Sequence, residues 1–122
     1  MIYLSALIGP FFLLLIEGFL PFPFLVEEIY KFFLVKKPIE TKIVIIIGFL
    51  FSLSEAIFYV MNPFYSLITN PYSLVLRLLV VFPMHTTTLL IMNYYNKKRD
   101  LWYLGLILGV FIHFLFNNLN ML

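Results

Sequence analysis

Apolar residues run along this chain in blocks too long and too continuous for the one-sided stripe of a soluble helix. Three of these blocks, Ile43 to Met61, Tyr72 to Tyr95 and Leu101 to about Asn120, are each long enough to cross about 30 Å of hydrocarbon at about 1.5 Å per residue. Upstream, an apolar helix is expected from about Ile2 to Leu20. Pro21-Phe22-Pro23 then interrupts helical hydrogen bonding, and a second helix is expected from about Phe24 to Val35. That piece reaches roughly 18 Å, which suits a half-buried helix, a re-entrant one, or the lower half of one kinked, tilted helix. The pattern therefore predicts an all-α polytopic membrane protein with about four transmembrane helices plus a short helix carrying a Glu-Glu-x-x-Lys motif. Residues 1–122 are expected to form a single membrane-embedded domain, with no internal repeat and no low-complexity tract.

Composition sharpens this reading. With 63% hydrophobic and only 11% charged residues in 122, no room is left for a soluble nucleotide-binding or DNA-binding module. Nucleic acid is therefore not an expected partner, and the lipid bilayer is. The absence of cysteine excludes disulfides, thiolate zinc sites and cysteine nucleophiles. Eight charged residues fall in two short runs, Lys36-Lys37-Pro38-Ile39-Glu40-Thr41-Lys42 and Lys97-Lys98-Arg99-Asp100, which read as basic loops. The positive-inside bias makes both loops cytoplasmic, and makes the uncharged Asn62 to Pro71 connection and Asn117 to Leu122 tail face outward. No basic residue in Met1 to Leu20 orients the N-terminus, and no charged n-region or small-residue cleavage site predicts a signal peptide.

The six remaining charges, Glu17, Glu27, Glu28, Lys31, Glu55 and Arg77, lie within apolar sequence. Each costs about 3 kcal/mol to insert on biological scales, so an intramembrane ionisable group is a functional candidate by default. Lys31 lies one turn from both Glu27 and Glu28 and can neutralise either. Adjacent carboxylates in low dielectric rarely ionise together, which suits a base beside a proton donor. The competing reading of this run is an interfacial cluster snorkelling toward Lys36 and Lys37. On the next block Gly48, Ser52, Glu55 and Tyr59 share a face of small and polar residues that turns Glu55 toward protein. Further on, Arg77, Val81 and His85 recur at steps of four, with Pro83 loosening the helix and Thr86, Thr87 and Thr88 following. The last block aligns Gly105, Gly109, His113 and Asn117, an arrangement in which two side chains one turn apart could point at one oxygen atom. Polar glue between helices is the alternative at each of these positions.

Depth bears on the choice. Glu27 is nine residues from Lys36, Glu55 thirteen from Lys42, His85 twelve from Lys97 and His113 thirteen from Asp100. These ionisable groups therefore occupy one slab roughly 14 to 20 Å from the basic loops, which favours one shared site. Arg77, about 30 Å from Lys97 on the same scale, is expected to anchor the outer interface, and Glu17 has no evident partner. Two carboxylates, two histidines and an asparagine are the parts of a hydrolase: a base for water, donors for an oxyanion, an acid for the leaving amine. A His₂-carboxylate metal set of His85, His113 and Glu27, with zinc the expected ion, ranks second because the His-Glu-x-x-His helix of common zinc peptidases is missing.

The ordered motifs Glu27-Glu28-x-x-Lys31, Glu55-x-x-x-Tyr59, Arg77-x7-His85 and His113-x-x-x-Asn117, followed from about Phe24 to Leu119, resemble the PrsW intramembrane peptidases, relatives of the CAAX prenyl endopeptidases. Tyr94-Tyr95 before the basic loop also looks like that family. The resemblance implies hydrolysis of a peptide bond in a membrane-protein substrate within a prokaryotic cell membrane, with no cofactor. It implies Glu27 as the water-activating base supported by Glu28, and His85 as a residue that holds or activates the water. It further implies His113 and Asn117 as an oxyanion hole, with Lys31, Glu55 and Tyr59 around them. The chain departs from the family at Ala56, where an asparagine is usual, and at Asn93, where a glycine is usual. It also has none of the extra spans of larger members. A minimal enzyme, a homo-oligomer that completes its wall with a neighbour, and an inactive scaffold or binding protein are all compatible with so short a core.

Overall fold

The computed structural model describes residues 1–17, 19–61, 71–98 and 100–119, apart from the side chains of Glu17, Pro71 and Ser73. Five helices account for most of these residues: α1 (Ile2–Glu17), α2 (Pro23–Leu34), α3 (Thr41–Met61), α4 (Pro71–Asn96) and α5 (Trp102–Leu119). Three are long and apolar enough to cross a membrane, namely α3, Leu74–Asn96 within α4, and α5; α1 is a shorter apolar helix. The all-helical membrane architecture is thus as the sequence predicts. Most of the Asn62 to Pro71 connection, Arg99, the end of the C-terminal tail and any partner of Glu17 lie outside the described residues.

Local sequence sets the boundaries. Pro23 occupies the first turn of α2, where a missing N–H costs nothing, so Pro21-Phe22-Pro23 both ends α1 and starts α2. Pro83 sits inside α4 without ending it. The first two helices are not two halves of one kinked rod. The Tyr30 hydroxyl of α2 donates to the Ser5 carbonyl of α1 at 2.8 Å, and the Tyr30 ring fills the space beside Gly9, so the two helices lie side by side as a hairpin.

Ala6, Phe32, Val35, Val44, Ile47, Leu89 and Met92 form the apolar core, with Ile2, Ile39, Ile43 and Leu106 packed against it. These residues come from the beginning of α1, the end of α2, the beginning of α3, the end of α4 and the beginning of α5. They gather at the end of the bundle that carries both basic loops. The helices therefore alternate in direction, and the start of α1 lies at the basic end, an orientation the sequence left open. Outward faces carry large apolar side chains such as Phe33, Leu79, Ile107 and Phe111, as lipid requires.

Because lipid tails are as apolar as leucine, helix association here depends on close packing. Gly48 lies against Thr86, and a Cβ at Gly105 would come within 3.0 Å of both the Met92 Cα and the Tyr95 Cβ. Asn93 has a use of its own. The Asn93 side chain accepts from the Ile39 N–H and donates to the Ile39 carbonyl, each at 3.0 Å, while Asn96 donates to the Val35 carbonyl at 2.9 Å. Two amides thus hold the α2–α3 loop onto the end of α4. Replacing Asn93 by Ala leaves a loop N–H and C=O without these partners, so Asn93→Ala is expected to lower stability by about 1–3 kcal/mol. Thermal unfolding in detergent measures this, and limited proteolysis between Lys36 and Lys42 should speed up in parallel.

Candidate functional site

The polar positions of four helices meet above the apolar core. From α2, Glu27, Glu28 and Lys31 all point inward and are buried, which overturns the reading of this run as a cluster snorkelling to the interface. Lys31 chooses Glu28 of its two neighbours and forms an ion pair with Oε1. Its ammonium also lies 3.4 Å from the Thr88 hydroxyl of α4 and 5.1 Å from the centre of the Phe51 ring of α3. The same Glu28 oxygen is 2.7 Å from Nδ1 of His113, so one carboxylate ties α2 to α5. Glu27 Oε2 lies 3.7 Å from that histidine nitrogen.

A second group forms on α3 and α4. Glu55 Oε2 is 2.6 Å from Nε2 of the fully buried His85, and Glu55 Oε1 accepts from Arg77 Nη2 at 3.0 Å. The Arg77 guanidinium lies 3.3 Å from the centre of the Tyr59 ring. The two groups touch. The rings of His85 and His113 stand perpendicular with centres 5.7 Å apart, and one ligating atom from each of Glu27, Glu55 and His85 lies within 4.8 Å of the others. A single water molecule or ion can bridge gaps of this size.

Of the residues expected at the site, Glu27, Glu28, Lys31, Glu55, His85 and His113 come together, and Tyr59 joins them through Arg77. Asn117 does not. It is exposed, and among the described residues no hydrogen bond links it to the cluster. The cause is helical drift. Each step of four overshoots a full turn by about 40°, so three steps from Gly105 swing Asn117 about 120° away from the starting line. Gly105, Gly109 and His113 are still buried, and the expected pairing of His113 with Asn117 is not formed. The steps of four, three and four from Gly48 to Tyr59 nearly cancel this drift, and that face stays turned inward: Gly48, Ser52 and Glu55 are buried.

Arg77 is the opposite correction. Counting residues from Lys97 places its Cα near the outer interface, but the long side chain carries its charge to Glu55. The signal for it was its position eight residues before His85 with an intramembrane carboxylate still to be neutralised. Phe51 was missed, because an aromatic on an apolar helix carries no mark of its own, and Thr88, noted only as following His85, was not linked to Lys31. For metal binding, the close set is Glu27, Glu55 and His85 in place of the expected Glu27, His85 and His113. No family model matches the chain, and no curated protein or solved structure matches it either.

The Lys31–Glu28 pair can be separated from its surroundings by mutation. Lys31→Met strands a buried carboxylate and is expected to cost about 3–5 kcal/mol. Adding Glu28→Gln removes the stranded charge and should recover most of that loss, a non-additivity that a double-mutant cycle of unfolding midpoints measures directly.

Proposed function

We propose that this chain is an intramembrane peptidase of the PrsW type, which hydrolyses a peptide bond of a membrane-protein substrate by a glutamate-activated water. One observation carries the reading: three carboxylates, two histidines and a lysine from four different helices meet in one buried cluster, although each is costly to place in hydrocarbon. Residues that serve only as glue have no need to share a site.

In this mechanism Glu27 takes a proton from water and His85 holds that water, both lying within bridging distance. Glu28, fixed between Lys31 and His113, positions α2 beside α5. With Asn117 turned away, stabilisation of the oxyanion falls to His113. Glu27, once it has taken the proton from water, is the acid that returns it to the leaving amine, so the proton count closes without a further donor. In this reading the positive-inside bias turns both basic loops, and with them the start of α1, toward the cytoplasm.

A metal-dependent peptidase is the second reading, favoured by the proximity of Glu27, Glu55 and His85. An inactive scaffold is the third.

Cleavage of a mixture of single-span membrane peptides by the purified protein in detergent distinguishes them, with products identified by mass spectrometry. Wild type is expected to yield products that Glu27→Gln does not, with the unfolding midpoint of the variant within a few degrees of wild type. Activity abolished by a chelator and restored by zinc would favour the metal reading. No products from either folded protein would favour the scaffold.

A further inference from the structure

We propose that Arg77 is a positioning residue: acting through the Glu55 carboxylate, it fixes the His85 ring with its proton on Nε2, so that Nδ1 presents a lone pair to the attacking water. The role of the water rests on the peptidase reading, whereas the tautomer stands on the hydrogen-bond geometry and the Arg77–Glu55 ion pair.

The steps follow from donors and acceptors. A guanidinium has only donors, so Glu55 Oε1, 3.0 Å from Arg77 Nη2, must accept. An ion pair keeps Glu55 in its carboxylate form, and a carboxylate accepts at both oxygens. His85 Nε2, 2.6 Å from Oε2, must then carry the hydrogen. That leaves Nδ1, which is fully buried and has no hydrogen-bond partner among the described residues. A proton there would be a donor without an acceptor; a lone pair is an acceptor ready for a water O–H. The rest of the ring is held tightly, by Phe51 with its ring centre 4.8 Å away and by the perpendicular His113.

Arg77 is needed because Glu55 alone would not choose. Without the guanidinium on Oε1 the carboxylate is free to turn, so Oε2 is no longer held on Nε2 and the ring can take either tautomer. Stacking on Tyr59 at 3.3 Å aims the guanidinium at Oε1, which a lysine at this position would not reproduce.

Nitrogen NMR of protein labelled with ¹⁵N-histidine reads the tautomer directly, with His113→Gln used to assign the two rings. Wild-type His85 is expected to show a protonated Nε2 and an unprotonated Nδ1. In Glu55→Gln the amide oxygen stays on Arg77 and the amide NH₂ faces Nε2, so the ring should switch to the Nδ1–H tautomer. In Arg77→Gln the two tautomers should mix, and turnover should fall about 10- to 100-fold with KM nearly unchanged. A wild-type ring protonated on Nδ1 would overturn the proposal without any variant. So would an unchanged tautomer in Glu55→Gln. The tautomer as expected, with no cleavage by wild type, would overturn the peptidase reading and support the Arg77–Glu55–His85 assignment.

Discussion

A carboxylate in hydrocarbon must be paired, and the pairing of Glu28 organises much of this molecule. Its Oε1 binds Lys31 on the same helix and His113 on α5, while Lys31 reaches Thr88 on α4. Removing any one partner leaves a charge or polar group that neither lipid nor the apolar core can solvate. The bundle therefore cannot separate α2 from α4 and α5 at low cost. This explains how a helix of only 12 residues, too short to cross a membrane, keeps a fixed place within it.

Close packing and polar pairing support each other. Gly109 lies opposite the free oxygen of Glu28, 3.1 Å from where a Cβ would stand, and Gly48 lets α3 approach α4 near the turn that carries His85. Small residues thus bring the helices near enough for short side chains to meet, and the ion pairs repay the insertion of their charges. At the basic end, Asn93 and Asn96 hold the loop between α2 and α3. The strained demand of burying ions is met at one level of the bundle, and ordinary apolar packing fills the level below.

Much of this was legible in the chain. Unbroken apolar blocks, two prolines around Phe22 and two basic runs defined the helices to within a few residues, because hydrocarbon thickness and helix rise leave little freedom. Residue counts from the basic loops brought Glu27, Glu55, His85 and His113 to one level, and they do meet there. Side-chain reach and helical phase were harder to read. Arg77 was misplaced because the count follows Cα positions, not the end of a long side chain, and Asn117 because steps of four drift around the helix. Tyr30 against Gly9, which turns α1 and α2 into a hairpin, is a contact between helices that no periodicity within either one announces.

In the proposed function a peptide bond is hydrolysed at the level of this cluster, so the position of the cut tests that proposal most directly. Glu27 lies nine residues from Lys36 and Glu55 thirteen from Lys42. New termini in a single-span peptide, read by mass spectrometry after incubation with wild-type protein, are therefore expected roughly 14 to 20 Å in from the level of the basic loops, well inside the apolar segment. Cuts confined to the polar flanks, or an uncut peptide in the presence of folded protein, would contradict the account.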